Sequence, residues 1–255
     1  MQKRGFFVVI AIVSLVLICG RDTHSQSPAA DGHKFEVGGQ FSVLNNSVVS
    51  EANATVVICV QAPCPPKVNS FSKSRKTQSG FGGRFGYNLT DDLAIEAELN
   101  FFPKADLFSP PDAFNDGNLI EGLFGLKAGK RFEKAGIFAK ARPGFLYVSK
   151  GDLQPVPGSP CGQILTPPVD SRCFQTSSKN SFAFDLGGVV ELYPTKRTLI
   201  RLDVGDMIVR LDKRNVTAGL NPLPSGFPAS SLVIFGVPAE TTHNFQGSVG
   251  IGFRF

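Results

Sequence analysis

Residues 244–255 read N-F-Q-G-S-V-G-I-G-F-R-F, a stretch that leaves little choice of local structure. Phe245, Gly247, Val249, Ile251, Phe253 and Phe255 fall on one face of an extended chain. Asn244, Gln246, Ser248, Gly250, Gly252 and Arg254 fall on the other. Successive side chains of a strand point to opposite faces, so strict period-two alternation predicts a strand. One face is apolar and aromatic, the other small and polar. The two sides of this strand must therefore meet different surroundings.

The same pattern recurs through the chain. Segment 34–43 sets Phe35, Val37, Gly39, Phe41 and Val43 on its apolar face. Segment 79–89 sets Phe81, Phe85, Tyr87 and Leu89 against Gly80, Gly82, Arg84, Gly86 and Asn88. Segment 93–102 sets Leu93, Ile95, Ala97, Leu99 and Phe101 against Glu96, Glu98 and Asn100. Segment 117–132 alternates less cleanly, with Ile120, Phe124, Leu126 and Ala128 opposite Glu121, Gly125, Lys127 and Gly129. Segment 136–148 places Lys140 and Arg142 on its polar side, and Pro143, which cannot donate to a ladder, predicts a local irregularity. Segments 180–193 and 197–210 complete the series, with Asp185, Glu191, Arg201 and Asp203 on polar faces.

The eight predicted strands are joined by alternating long and short connections, and all the short ones fall on one side. The turns at 90–92, 133–134 and 194–196 are tight. The stretches 44–78, 149–179 and 211–243 read as long loops and 103–116 as a medium one, with a small hairpin expected near 54–60. Strands of about 9–11 residues with this asymmetry of loops suit a tilted crossing of a bilayer. The expectation is an all-β fold, an eight-stranded antiparallel up-and-down transmembrane β-barrel over 34–255.

The N-terminus reads as a targeting segment. Lys3 and Arg4 precede an apolar run over 6–18 broken only by Ser14, too short to span as a helix and suited to a secretory signal. Cleavage is expected after Ser25, leaving 26–33 as a short polar leader. Ile18 before Cys19 argues against a lipoprotein signal. Loss of 1–25 removes three basic residues and one acidic residue, taking the formal charge from +5 to +3. That small excess, with no basic run interleaved with aromatics, gives no reason to expect a nucleic-acid partner. Cys59, Cys64, Cys161 and Cys173 would remain, an even set in an exported chain, so disulfides are expected. Three connectivities are possible, of which Cys59–Cys64 with Cys161–Cys173 closes the shortest loops. C-x4-C and C-x11-C without a neighbouring His do not build a zinc site, so no metal or other cofactor is expected.

A soluble barrel around a small ligand would also alternate, with its apolar face inward. Here the polar face is crowded with glycine and opposite charges, which suits a narrow lumen. The aromatics Phe35, Tyr87, Phe101, Tyr147 and Phe255 fall at strand ends, where membrane interfaces would lie. In lipid, ring closure also satisfies every backbone donor and acceptor. The stretches K-F-E-V-G-G-Q-F-S-V, G-Y-N-L-T-D-D-L-A-I-E-A-E and V-G-I-G-F-R-F carry a resemblance to the OmpA/OmpX-like outer-membrane β-barrel family, extending over the whole mature chain. The resemblance implies a bacterial outer-membrane location. It also implies that Ile251, Phe253 and Phe255 form the terminal signal read by the barrel-insertion machinery. Such barrels serve many roles, so it implies no activity.

An interior ionic network is expected from Arg84, Glu96, Glu98, Glu121, Lys127, Lys140, Arg142, Asp185, Glu191, Arg201 and Asp203. Buried charges persist only when paired and hydrogen-bonded. The tight turns place Arg84 opposite Glu98 and Glu191 opposite Arg201. No catalytic set is expected: His33 and His243 would lie at opposite ends, and no Ser, Asp or Glu comes at a nucleophile–base spacing. The expected function is a non-enzymatic integral outer-membrane protein with a closed interior. Its roles would be envelope integrity and surface interaction through long extracellular loops. A narrow or gated channel and a soluble periplasmic ligand-binding barrel are the alternatives.

Overall fold

A computed structural model describes residues 34–55, 67–103, 117–157, 174–221 and 232–255. The strands are β1 (Phe35–Thr55), β2 (Lys67–Asn88), β3 (Leu93–Phe102), β4 (Leu119–Arg131) and β5 (Ala135–Pro155). They continue with β6 (Phe174–Leu192), β7 (Thr198–Leu211), β8 (Arg214–Asn221), β9 (Leu232–Val237) and β10 (Glu240–Arg254). The strands β1 to β7 pair antiparallel with their sequence neighbours, and β10 pairs with both β7 and β1. The result is a closed ring of eight strands. Its seam runs from Glu36↔Arg254 to Asn45↔Phe245 and is pinned at the base by Phe255 N donating to Phe35 O at 2.9 Å. Closure leaves no open sheet edge within the ring.

The alternation read from the sequence becomes the two sides of the wall. Phe81, Phe124, Ile137, Phe182, Val204 and Phe253 are exposed on the outside. Lys127, Arg142, Asp185 and Arg201, each no more than 1% exposed, are enclosed. A soluble barrel would reverse this. The apolar exterior with an ionic interior is therefore built for a solvent of hydrocarbon.

Pro143 has the predicted consequence. The β4–β5 ladder runs through Leu123↔Gly144, lapses, and resumes in the same register at Leu126↔Ala141. The missing proline N–H opens the ladder without a bulge.

Two expectations about the long-loop side are corrected. The strands do not stop near the end of the apolar alternation: β1 runs on to Thr55 and β2 begins at Lys67, while β5 runs to Pro155 and β6 begins at Phe174. Beyond the membrane, neither face meets lipid, so the backbone ladder continues while the hydropathy pattern vanishes. The stretch 211–243, expected as a loop, contains the β8–β9 hairpin, and β8 adds to β1 in parallel at Glu51↔Gly219 to Asn53↔Asn221. That pairing joins residues far apart in sequence, which local periodicity does not encode. Asn215 N donates to Asp152 Oδ1 at 2.7 Å, tying β8 to β5. Arg214 and Lys73 both bind the Glu240 carboxylate. These contacts make a β-crown above the ring.

The proposed signal 1–25, leader 26–33 with His33, loop 104–116 and Cys19, Cys59, Cys64, Cys161 and Cys173 lie outside the described residues. So does most of the expected 54–60 hairpin tip.

Candidate functional site

The lumen is stratified along the barrel axis. At the end of the short turns, Lys127 reaches inward from β4 until its ammonium lies 2.6 Å from Glu191 Oε1, 3.2 Å from Glu96 Oε1 and 3.4 Å from Glu36 Oε2. Those three carboxylates are close enough together to hold a cation, and the Lys127 ammonium supplies it. Arg131 closes the mouth, donating to Glu36 Oε1 at 3.1 Å and to the Tyr193 hydroxyl at 3.1 Å. Tyr193 donates in turn to Glu191 Oε2 at 2.8 Å, and the Arg254 guanidinium lies over its ring, 5.1 Å from the centroid.

Midway, each arginine holds two acids. Arg201 forks onto Glu96, with Nη2 2.9 Å from Oε2, and also donates to Asp203 Oδ2 at 2.9 Å. Arg142 binds Asp185 through Nε at 2.9 Å and Nη2 at 2.6 Å, and reaches Glu98 with Nη1. Lys140 bridges Asp185, at 2.7 Å, and Asp203. Room for its stem comes from Gly187 and Gly205, which face each other across β6 and β7. A Cβ added at Gly187 would fall 2.1 Å from Val204 O and 2.9 Å from Lys140 Cε. Bidentate arginine–carboxylate geometry and shared acceptors are what make buried charge tolerable.

Higher still, charge gives way to amides. Asn100 donates to Glu98 at 2.7 Å and to Glu121 at 3.0 Å, and accepts from Gln40 at 2.9 Å. Gln246 donates to Glu121 at 3.0 Å. Above this layer Leu44, Phe102, Leu119, Leu123, Leu146, Ala183, Met207 and Val209 pack into a buried apolar cluster across the lumen.

The structure places Arg84, Glu96, Glu98, Glu121, Lys127, Lys140, Arg142, Asp185, Glu191, Arg201 and Asp203 inside the ring, all buried. Arg84 stands opposite Glu98, and Glu191 opposite Arg201, in the expected registers. The side chains nonetheless choose partners across the lumen: Glu98 binds Arg142, and Arg201 favours Glu96 over Glu191, from which it stands 3.4 Å. A narrow barrel brings opposite walls as near as adjacent strands. Sequence reading missed Glu36 and Arg131 as members, and Arg254, placed on the polar face, was not counted among the charges. Glu36 lies between outward Phe35 and Val37, a signal that was available. The apolar cap was missed for a different reason: its inward leucines share strands with outward ones, and near the rim alternation loses contrast.

His243 is exposed on the outer wall, its Nδ1 2.7 Å from Asp206 Oδ2. Ile251, Phe253 and Phe255 point outward at the base of the ring.

A closed eight-stranded antiparallel ring, apolar outside and ionic within, is the architecture of a transmembrane β-barrel. No protein-family model matches the chain, and no curated protein matches it. Among solved structures it is similar to Ail, the attachment invasion locus protein of Yersinia pestis, at 11% identity and a TM-score of 0.40, over 87% of this chain and 99% of that one. It is also similar to Neisserial surface protein A, at 12% identity and TM-score 0.44 over 87% and 97% of the two chains. For outer membrane protein OprG from Pseudomonas aeruginosa the values are 12% and 0.42 over 89% and 99%.

Proposed function

We propose that this protein is a non-enzymatic, integral outer-membrane barrel, exported with a cleaved signal, whose interior is closed to solutes. Its β-crown and outer loops would serve envelope integrity and surface interaction. The observation that carries this reading is the double closure of the lumen: a salt-linked layer in which Arg142, Lys127 and Arg201 are no more than 1% exposed, beneath a cap containing Leu44 and Phe102 at 0%. A pore would need both layers to part. The outward Phe81, Phe85 and Phe253 support a lipid environment over a soluble, ligand-carrying barrel. The outward Ile251, Phe253 and Phe255 would meet the insertion machinery. Loops on a rigid scaffold are where binding concentrates, and the crown supplies that scaffold.

Planar-bilayer recording of the refolded protein tests closure: no steady conductance is expected, and sustained unitary currents would refute it. Protease shaving of intact cells tests topology. Cuts are expected within 56–66, 158–173 and 222–231 and not in the turns at 89–92, 132–134 and 193–197.

A further inference from the structure

Among the described residues, Arg84 is a lumen cation that the ionic network does not absorb. Its side chain enters from β2 and is 7% exposed, yet neither Nη1 nor Nη2 has a hydrogen-bond partner among the described residues. No carboxylate there comes within ion-pair distance of it. The acid facing it in register, Glu98, is held by Arg142. The guanidinium lies under the glycines of the seam: a Cβ at Gly38 would stand 3.1 Å from its Nε, and one at Gly252 would stand 3.3 Å from Nη2. Arg201, Glu191, Glu96 and Glu36 are the charged groups that act on it most strongly.

Three of those four groups are acids, yet none of them bonds the Nη atoms. A buried guanidinium with both terminal nitrogens unpaired is costly, and a fixed pair of Nη donors suits one compact acceptor.

We propose that Arg84 forms an internal site for a small monovalent inorganic anion of halide size, beneath the apolar cap. The anion completes the hydrogen bonding of Arg84. The site is a blind one, so it binds and does not conduct.

The test uses the whole refolded barrel. Urea unfolding is followed in sodium chloride and in sodium gluconate at equal ionic strength. Chloride is expected to raise the folded-to-unfolded ratio about tenfold at ten times its dissociation constant, because only the folded state binds it. Arg84→Met should remove that difference, and Arg84→Lys, which keeps the charge without the fork, should shrink it. Crystals grown in millimolar bromide should show anomalous density within hydrogen-bond distance of the Arg84 Nη atoms. Equal responses of wild type and Arg84→Met to chloride would overturn the proposal. So would a water molecule, with no bromide, at Arg84 in the wild-type crystals. Should Arg84→Met fail to fold, the Arg84→Lys titration and the bromide map decide.

Discussion

Arg201 and Glu96 tie opposite walls of the barrel together. They stand on β7 and β3, four places apart in a ring of eight, yet the guanidinium meets the carboxylate with two hydrogen bonds, one of 2.9 Å. A cross-lumen clamp of this kind fixes the diameter of the ring, because each strand is held by its neighbours and by the wall it faces. Removing one partner leaves the other charged in an enclosed space. Arg201→Met is expected to destabilise the barrel by about 3–5 kcal/mol, and Arg201→Met with Glu96→Leu by clearly less. Urea unfolding of the two single variants and the double variant, read as a mutant cycle, measures the coupling.

Gly187 makes room for Lys140 between its two acids. Gly187→Ala sets a Cβ against Val204 O at 2.1 Å, a backbone atom that moves only if β7 moves. A loss of about 1–3 kcal/mol is expected, as for overpacking elsewhere. Gly83→Ala, whose nearest atom would be 3.6 Å away on the outer wall, is expected to be close to neutral. The same unfolding assay compares the two.

Phe124 lies outward at mid-strand and is 60% exposed, where hydrocarbon is its solvent. Phe124→Arg should cost about 2–4 kcal/mol in a bilayer, while the same change at a strand end should cost little. Reversible folding into vesicles, with one arginine placed at successive heights, would trace the bilayer position. A flat profile would contradict the membrane reading.

Glu240 joins β10 to the crown through Lys73 and Arg214. Burial pushes its carboxyl upward, but the hydrogen bonds from those two cations outweigh that and hold it below the ordinary range. A depressed folded value means the link is at full strength above the unfolded value, about pH 4.3, and fades as pH falls through the folded one. Amide exchange in β8 and β10 near Glu240 should therefore quicken on acidification, and Glu240→Gln should make it insensitive to that change. Exchange that stays constant in the wild type would show that the crown does not depend on this carboxylate.

The ring could be read from the chain alone because bilayer and lumen impose opposite demands on alternate residues. Segment 244–255 is the plainest case, and β3 matches its predicted span of Leu93–Phe102. The same alternation puts Arg84, Lys140 and Asp203 inside the ring. Register across tight turns followed too, since a turn of known length fixes which residues face each other. The crown did not follow: Lys73, Asn215 and Glu240 lie beyond the lipid, where side-chain polarity no longer distinguishes one face from the other.

What the sequence determined by itself was therefore the wall: strand number, direction, and which side chains turn inward. Tertiary structure alone decided which charges pair, because closing eight strands brings β3 within reach of β7 and releases Glu98 from its ladder neighbour to Arg142. It also decided the apolar cap and the parallel junction of β8 with β1. Both depend on contacts between residues far apart in the chain, and a period of two carries no information about those.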